Sequence, residues 1–235
     1  SSSKSETLLR VPSYQTLASS SRPNSKISYP ELRTISTTNQ SDQSFDYLKK
    51  EFLGQGGMGL VYKAEQISLQ RDVAIKEIHR GAKEVILSNR LINEARLVGK
   101  LEHPNVAPIY ELGQTNDGFP MLIMKRVDGI SWSELLRDPD HEFWNKIPGD
   151  RLVWNIGVLI QICNAVDYAH AQGIIHRDIK PENIMLGYYG EIYLLDWGLA
   201  FNINDDDRAF VPTAAGTPAY MAPEMLRSLE DIDYR

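Results

Sequence analysis

The segment Gly54-Gln55-Gly56-Gly57-Met58-Gly59 sits between two stretches of strand character, and residues 52–65 read as strand, glycine turn, strand. Glycines at such a hairpin tip let backbone N–H groups come close to a polyphosphate. A dinucleotide-binding turn would end one strand and open a helix. Here Leu60-Val61-Tyr62-Lys63-Ala64 continues as a second strand, which excludes that reading.

Further on, residues 72–79 read as another strand, with Val73, Ala74 and Ile75 leading to Lys76. Residues 87–101 carry Leu91, Ala95, Val98 and Leu101 at helical spacing, and His103-Pro104-Asn105 stops that helix. Glu94 falls on its inward-spaced face. Taken alone, Lys76 reads better as a solvated rim lysine than as a ligand-binding cation held by Glu94. Two more short strands fit residues 107–112 and 121–127, and beyond Gly129 the pattern turns helical over 132–136 and 152–170. A strand-rich first half and a helix-rich second half predict an α+β fold with two lobes.

The stretch before Asp46 differs in kind. Residues 1–45 hold 13 Ser and 5 Thr, carry a net charge of +2, and space their apolar residues without a sustained period. A disordered tail offering hydroxyls is expected there. The whole chain is at −6, which argues against a general nucleic-acid binder. Its single cysteine, Cys163, excludes an internal disulfide. No run approaches about 18 uninterrupted apolar residues, so no membrane-spanning segment is expected. Cys163, His103 and His170 are read as packing residues.

A denser cluster comes after the long helix. His176-Arg177-Asp178-Ile179-Lys180-Pro181-Glu182-Asn183 is succeeded, thirteen residues after Asn183, by Asp196-Trp197-Gly198 at the end of the apolar strand 192–195. Asp178 is placed to accept a proton from an incoming hydroxyl, and Asn183 and Asp196 offer hard oxygen ligands for Mg²⁺.

With Gly216-Thr217-Pro218-Ala219-Tyr220-Met221-Ala222-Pro223-Glu224 closing the series, the chain resembles a eukaryotic-type serine/threonine protein kinase from about Tyr47 to Glu224. The glycine loop, Asn93-Glu94-Ala95-Arg96 and Leu101-Glu102-His103-Pro104-Asn105 are most similar to bacterial members. The resemblance implies a small lobe and hinge over 46–127 and a partial large lobe over 128–235. It also implies that Gly54, Gly56 and Gly59, in the loop with Gln55, Gly57 and Met58, cover the phosphates of ATP. Lys76 would contact the α- and β-phosphates while paired with Glu94. Asp178 would be the catalytic base, Lys180 would steady the transferred phosphoryl group, and Asn183 with Asp196 would hold Mg²⁺. Val61, Ala74 and Met185 would wall the adenine slot, beside Met124 as gatekeeper and the backbone of Lys125 and Val127.

Lys180 and Thr217 resemble the serine/threonine branch, and Arg177 before the base suggests control by phosphorylation. Thr213 is the candidate acceptor. Thr217 is also a candidate, though its resemblance is more to a contact with Asp178 and Lys180. Asp205-Asp206-Asp207 reads as a solvated acidic loop. The implied partners are proteins bearing Ser or Thr, this chain's own hydroxyls among them, and the implied setting is cytoplasmic, with a membrane anchor in a longer parent left open. The competing readings are a nucleotide- or partner-binding pseudokinase and a small-molecule kinase. The segment from Asp196 to Glu224 argues against the last.

The sequence departs from the pattern at Trp197, where the family has Phe, and in carrying only eleven residues, 225–235, after Glu224. A fragment of a longer kinase is expected, with the apolar face of residues 152–170 left partly uncovered.

Overall fold

The computed structural model describes residues 29, 31–39, 45–56, 59–81, 83–204 and 216–226. Six strands form the first sheet: β1 (Thr37–Thr38), β2 (Tyr47–Gln55), β3 (Gly59–Gln66), β4 (Arg71–Ile78), β5 (Ile109–Gln114) and β6 (Pro120–Lys125). Their order is β1-β2-β3-β4-β6-β5, antiparallel except for the β1–β2 pair. Alternation along β4 divides its side chains between two tasks. Val73 and Ile75 enter a core with Tyr47, Met121 and Ile123, while Ala74 and Lys76 turn to the cleft between the lobes.

Helix α1 (Glu84–Val98) lies against this sheet, burying Leu87, Leu91 and Ala95 on Ile78 and Leu122. The sequence pattern placed its start three residues late, because Val85 and Ile86 are more than half exposed and add nothing to the buried stripe. Glu94 falls on the buried side of the same helix.

The second lobe contains α2 (Trp132–Arg137), α3 (Arg151–Ala171) and short strands β7 (Gly129–Ser131), β8 (Ile174–Ile175), β9 (Ile184–Gly187), β10 (Ile192–Leu194) and β11 (Phe201–Asn202). β10-β9-β7 make one small sheet and β11-β8 another. Side-chain acceptance by Ser131 starts α2, and Asp150 starts α3 by accepting from Val153 N–H at 3.0 Å. Val158, Ile162, Ala165 and Ala169 of α3 sink into the main core with Ile174, Ile184 and Leu194. Between α2 and α3, Phe143 and Trp144 also reach this core from a 3-10 turn at Glu142–Lys146 that the sequence pattern did not signal. The two-lobed α+β fold expected from the sequence is the one observed.

By length and composition α3 is apolar enough to cross a membrane, and the run criterion missed this because Asn155 and Gln161 interrupt it. In the structure it is the core helix of the large lobe on one face. The other face exposes Leu152, Val153, Ile156, Leu159 and Ile160, at 48–68% of their surface.

One expectation needs correction. Residues 33–38 do not belong to a disordered tail. Ile35 is 1% exposed within the sheet core, and Thr37 and Thr38 pair with Tyr47 and Leu48. A single apolar plug flanked by a two-residue strand leaves no period for sequence reasoning to detect.

Candidate active site

A cleft of about 720 Å³ opens between the lobes. Its roof is the β2–β3 hairpin. Gly54, Gln55, Gly56, Gly59 and Val61 line it, while Gly57 and Met58 lie outside the described residues. A Cβ at Gly54 or Gly56 would meet no heavy atom within 4 Å, so both stand open. Gly59 is different, since a Cβ there would fall 1.9 Å from the Glu77 carbonyl oxygen. Its role is the close approach of β3 to β4.

The apolar walls are Ala74, Met124, Val127 and Met185, with Lys125 beside them. Ala107, Ile109, Leu122 and Leu194 also line the cleft, and the sequence reading did not single these out. Each sits in a strand or loop whose apolar character marked it only as core.

Behind the walls lies the charged centre. Lys76 Nζ donates to both carboxylate oxygens of Glu94 at 2.8 Å and to Asp196 Oδ1 at 3.0 Å. Lys76 and Glu94 are both buried, whereas the Asp196 side chain is 47% exposed. Burial alone would lower the lysine pKa, but Glu94 and Asp196 outweigh it and hold it above the ordinary value. Burial likewise opposes the charge of Asp196, and Lys76 overcomes it, keeping that carboxyl below its usual range.

Asp178 lies across from this triad. Lys180 Nζ donates to its Oδ2 at 2.7 Å and Asn183 Nδ2 to the same oxygen at 3.1 Å, while Thr217 supplies its hydroxyl (2.8 Å) and backbone N–H (3.0 Å) to Oδ1. Lys180 also donates to the Thr217 hydroxyl at 2.7 Å. Burial would raise the Asp178 pKa, and the bonds from Lys180 and Thr217 more than reverse that. The side chain is therefore ionised and aimed by four donors.

The scaffold around these groups is under backbone strain. Arg177 at φ 67° and Asp196 at φ 57° are both left-handed and neither is glycine. His176 fixes the loop: its Nδ1 accepts from Asp178 N–H at 3.2 Å, which leaves Nε2 to donate to the Leu195 carbonyl at 3.1 Å. Both ring nitrogens are used, so His176 is structural. Asn105, read from sequence only as part of a helix stop, is buried and donates to the Ile192 carbonyl at 2.9 Å, while its own carbonyl accepts from Leu194 N–H at 2.7 Å. It anchors the strand that leads into Asp196. Trp197 is 2% exposed in one core with Val98 of α1. Thr213 and Asp205-Asp206-Asp207 lie outside the described residues.

The family model described as "Protein kinase domain" matches residues 47–234. The chain belongs to this family. Among its curated relatives, the serine/threonine-protein kinase PknH of Mycobacterium bovis is 36% identical over 190 residues, which are 80% of this chain and 30% of that protein. The probable serine/threonine-protein kinase SCO3848 of Streptomyces coelicolor is 35% identical over 189 residues, 78% of this chain and 27% of that one. The serine/threonine-protein kinase PknD of Protochlamydia amoebophila is 35% identical over 204 residues, with 77% and 21% covered. This kinase domain thus spans less than a third of the length of these bacterial relatives.

Proposed function

We propose that the chain carries the catalytic centre of a serine/threonine protein kinase, transferring the γ-phosphoryl group of Mg·ATP to hydroxyls of protein substrates. The observation that carries this reading is the Asp178 carboxylate, which already accepts a threonine hydroxyl at 2.8 Å while Lys180 stands 2.7 Å from both partners. A carboxylate that holds a hydroxyl in this way is suited to receive its proton.

The donor set fits a magnesium–nucleotide ligand. Three carboxylates (Glu94, Asp178, Asp196) face two ammonium groups (Lys76, Lys180), leaving an excess negative charge that a cation would neutralise. Asn183 and Asp196 both line the cleft, and among the described residues no cluster of three or more His, Cys, Asp or Glu side chains forms a closed cage. Such an open, oxygen-only set suits magnesium shared with phosphates. When bound, Mg·ATP would supply the transferable phosphoryl group and an electrophilic phosphorus.

The chain's own residues do the rest. Lys76, fixed by Glu94, offers a buried cation to phosphate oxygens. Asn183 and Asp196 would hold the metal. The glycine hairpin would cover the phosphates, and Val61, Ala74, Met124, Val127 and Met185 would enclose the base. Asp178 orients the acceptor hydroxyl and takes up its proton, while Lys180 offsets charge developing on the transferred group. Thr217 acts as a contact that presets Asp178 and Lys180, and a cytoplasmic setting accords with ATP as donor.

Incubating the chain with Mg·ATP and a serine-containing peptide, followed by mass spectrometry, tests this reading. A phosphate gain of the peptide is expected. Nucleotide binding without any transfer would favour the pseudokinase alternative.

A further inference from the structure

The backbone of residues 33–38 touches both edges of the five-strand array β2-β3-β4-β6-β5. At one edge, β1 runs parallel to β2. At the other, Ile35 N–H donates to the Gln114 carbonyl at 2.8 Å and Gln114 N–H donates to the Arg33 carbonyl at 2.9 Å. A single short segment therefore bridges β2 and β5 and closes the sheet on itself. Ile35 fills the enclosed space, in one core with Tyr47, Val73, Ile75, Met121 and Ile123.

The closure is latched at both ends. Ser36 donates its N–H (2.8 Å) and hydroxyl (2.7 Å) to Asp46 Oδ2, and Asp46 N–H donates back to the Ser36 hydroxyl at 3.0 Å. Arg33 joins Asp46 (3.1 Å) to Glu111 (2.9 Å), and Tyr47 donates its phenol to the same Glu111 at 2.9 Å. Gly113 shows how close the approach is, because a Cβ there would stand 2.3 Å from Ile35 Cδ1.

The plug also lies one residue from the charged centre. On β4, Ile75 shares a core with Ile35 on one face and Lys76 meets Glu94 on the other. On β6, Met121 and Ile123 belong to the core of Ile35, while Leu122 between them belongs to the core of the α1 residues Leu91 and Ala95, which bracket Glu94. We propose that residues 33–38 form a closing strand of the small lobe, and that Ile35 is a positioning residue for the Lys76–Glu94 pair through β4 and β6. The catalytic consequence rests on the kinase reading above; the mechanical claim stands without it.

Amide hydrogen exchange on the 235-residue chain tests the two separately. Ile35→Ala, which empties a buried site, should speed exchange on the order of tenfold in β4, β6 and α1 while leaving α3 and β9 within about twofold. Ile35→Val should restore most of the protection. Ser36→Ala, which removes the hydroxyl bonds of the latch and keeps the plug, should move the same amides by a smaller factor, and these two variants carry the readout if Ile35→Ala does not fold. Faster exchange confined to residues 33–38 would overturn the proposal, as would a uniform increase through both lobes. In the transfer assay Ile35→Ala should lower kcat more than it raises KM for ATP. A wild-type chain with no transfer would count against the kinase reading and leave the exchange result to decide the positioning claim.

Discussion

The indole of Trp197 stacks at 4.5 Å, centroid to centroid, on the imidazole of His176, tilted by 58°. The two rings join the segment that carries Asp196 to the loop that carries Asp178, and Trp197 Nε1–H donates to the Leu194 carbonyl at 3.3 Å. Trp197→Phe should therefore lower stability by about 1–3 kcal/mol, through a smaller ring and the loss of the indole's hydrogen bond. Urea denaturation of the two proteins measures this. A change below about 0.5 kcal/mol would mean that the indole is not needed for that junction.

The Lys76–Glu94 pair is buried on both sides, and its loss separates stability from function. Lys76→Met leaves Glu94 without its cation and should cost about 3–5 kcal/mol. Adding Glu94→Leu removes the orphaned charge and should recover much of that stability, measured by thermal unfolding. Phosphoryl transfer should stay at least about a hundredfold down in both variants. Recovery of transfer in the double variant would show that the pair is only structural.

Gly113→Ala would place a Cβ 2.3 Å from Ile35 Cδ1 and 2.7 Å from the Arg33 carbonyl oxygen. The backbone contact cannot yield as a side chain can, so a loss of about 1–3 kcal/mol is expected. Combining it with Ile35→Ala, which removes both the Cδ1 and the Cγ1 (2.5 Å) in the way, should give a double-mutant coupling of at least about 0.5 kcal/mol. Full additivity would place the clash elsewhere.

Much of this architecture could be read from the sequence because it depends on spacing. Glycines between two strands, a lysine ending an apolar strand, and Asp, Lys and Asn at fixed offsets are local patterns; the fold brings the glycines, Lys76, Lys180 and Asn183 to one cleft, with Asp178 held just behind it by Lys180 and Asn183. Ile35 had no such signature: its partners Tyr47, Val73 and Met121 come from three separate strands. Asn105 was legible only as a loop residue, since its bonds reach Ile192 and Leu194 nearly ninety positions away. The left-handed backbone at Arg177 was equally hidden, because arginine does not signal it, and at Asp196 an aspartate signals it only weakly.

The pH behaviour stems from Asp178. Its folded-state pKa lies below the ordinary aspartate value of about 3.9, because Lys180 and Thr217 outweigh burial. The stability it contributes is thus fully present above about pH 4 and is lost as pH falls through the depressed value. Asp196, depressed by Lys76 against burial, behaves in the same sense. No acid limb from either group is expected in the transfer rate between about pH 5 and 8. Combining Lys180→Met with Thr217→Ala leaves burial dominant, and an acid limb should then appear at higher pH. A rate profile that already falls below about pH 6 in the unmodified chain would contradict the assignment.

The most direct measurement compares the chain with Asp178→Asn for transfer of labelled phosphate from Mg·ATP to a serine peptide, alongside nucleotide affinity. The substitution keeps the shape and removes the proton acceptor. Transfer should fall by about 10²–10⁴-fold with nucleotide affinity changed by less than about threefold. Equal transfer by the two proteins would contradict the role given to Asp178, and with it the reaction assigned to this cleft.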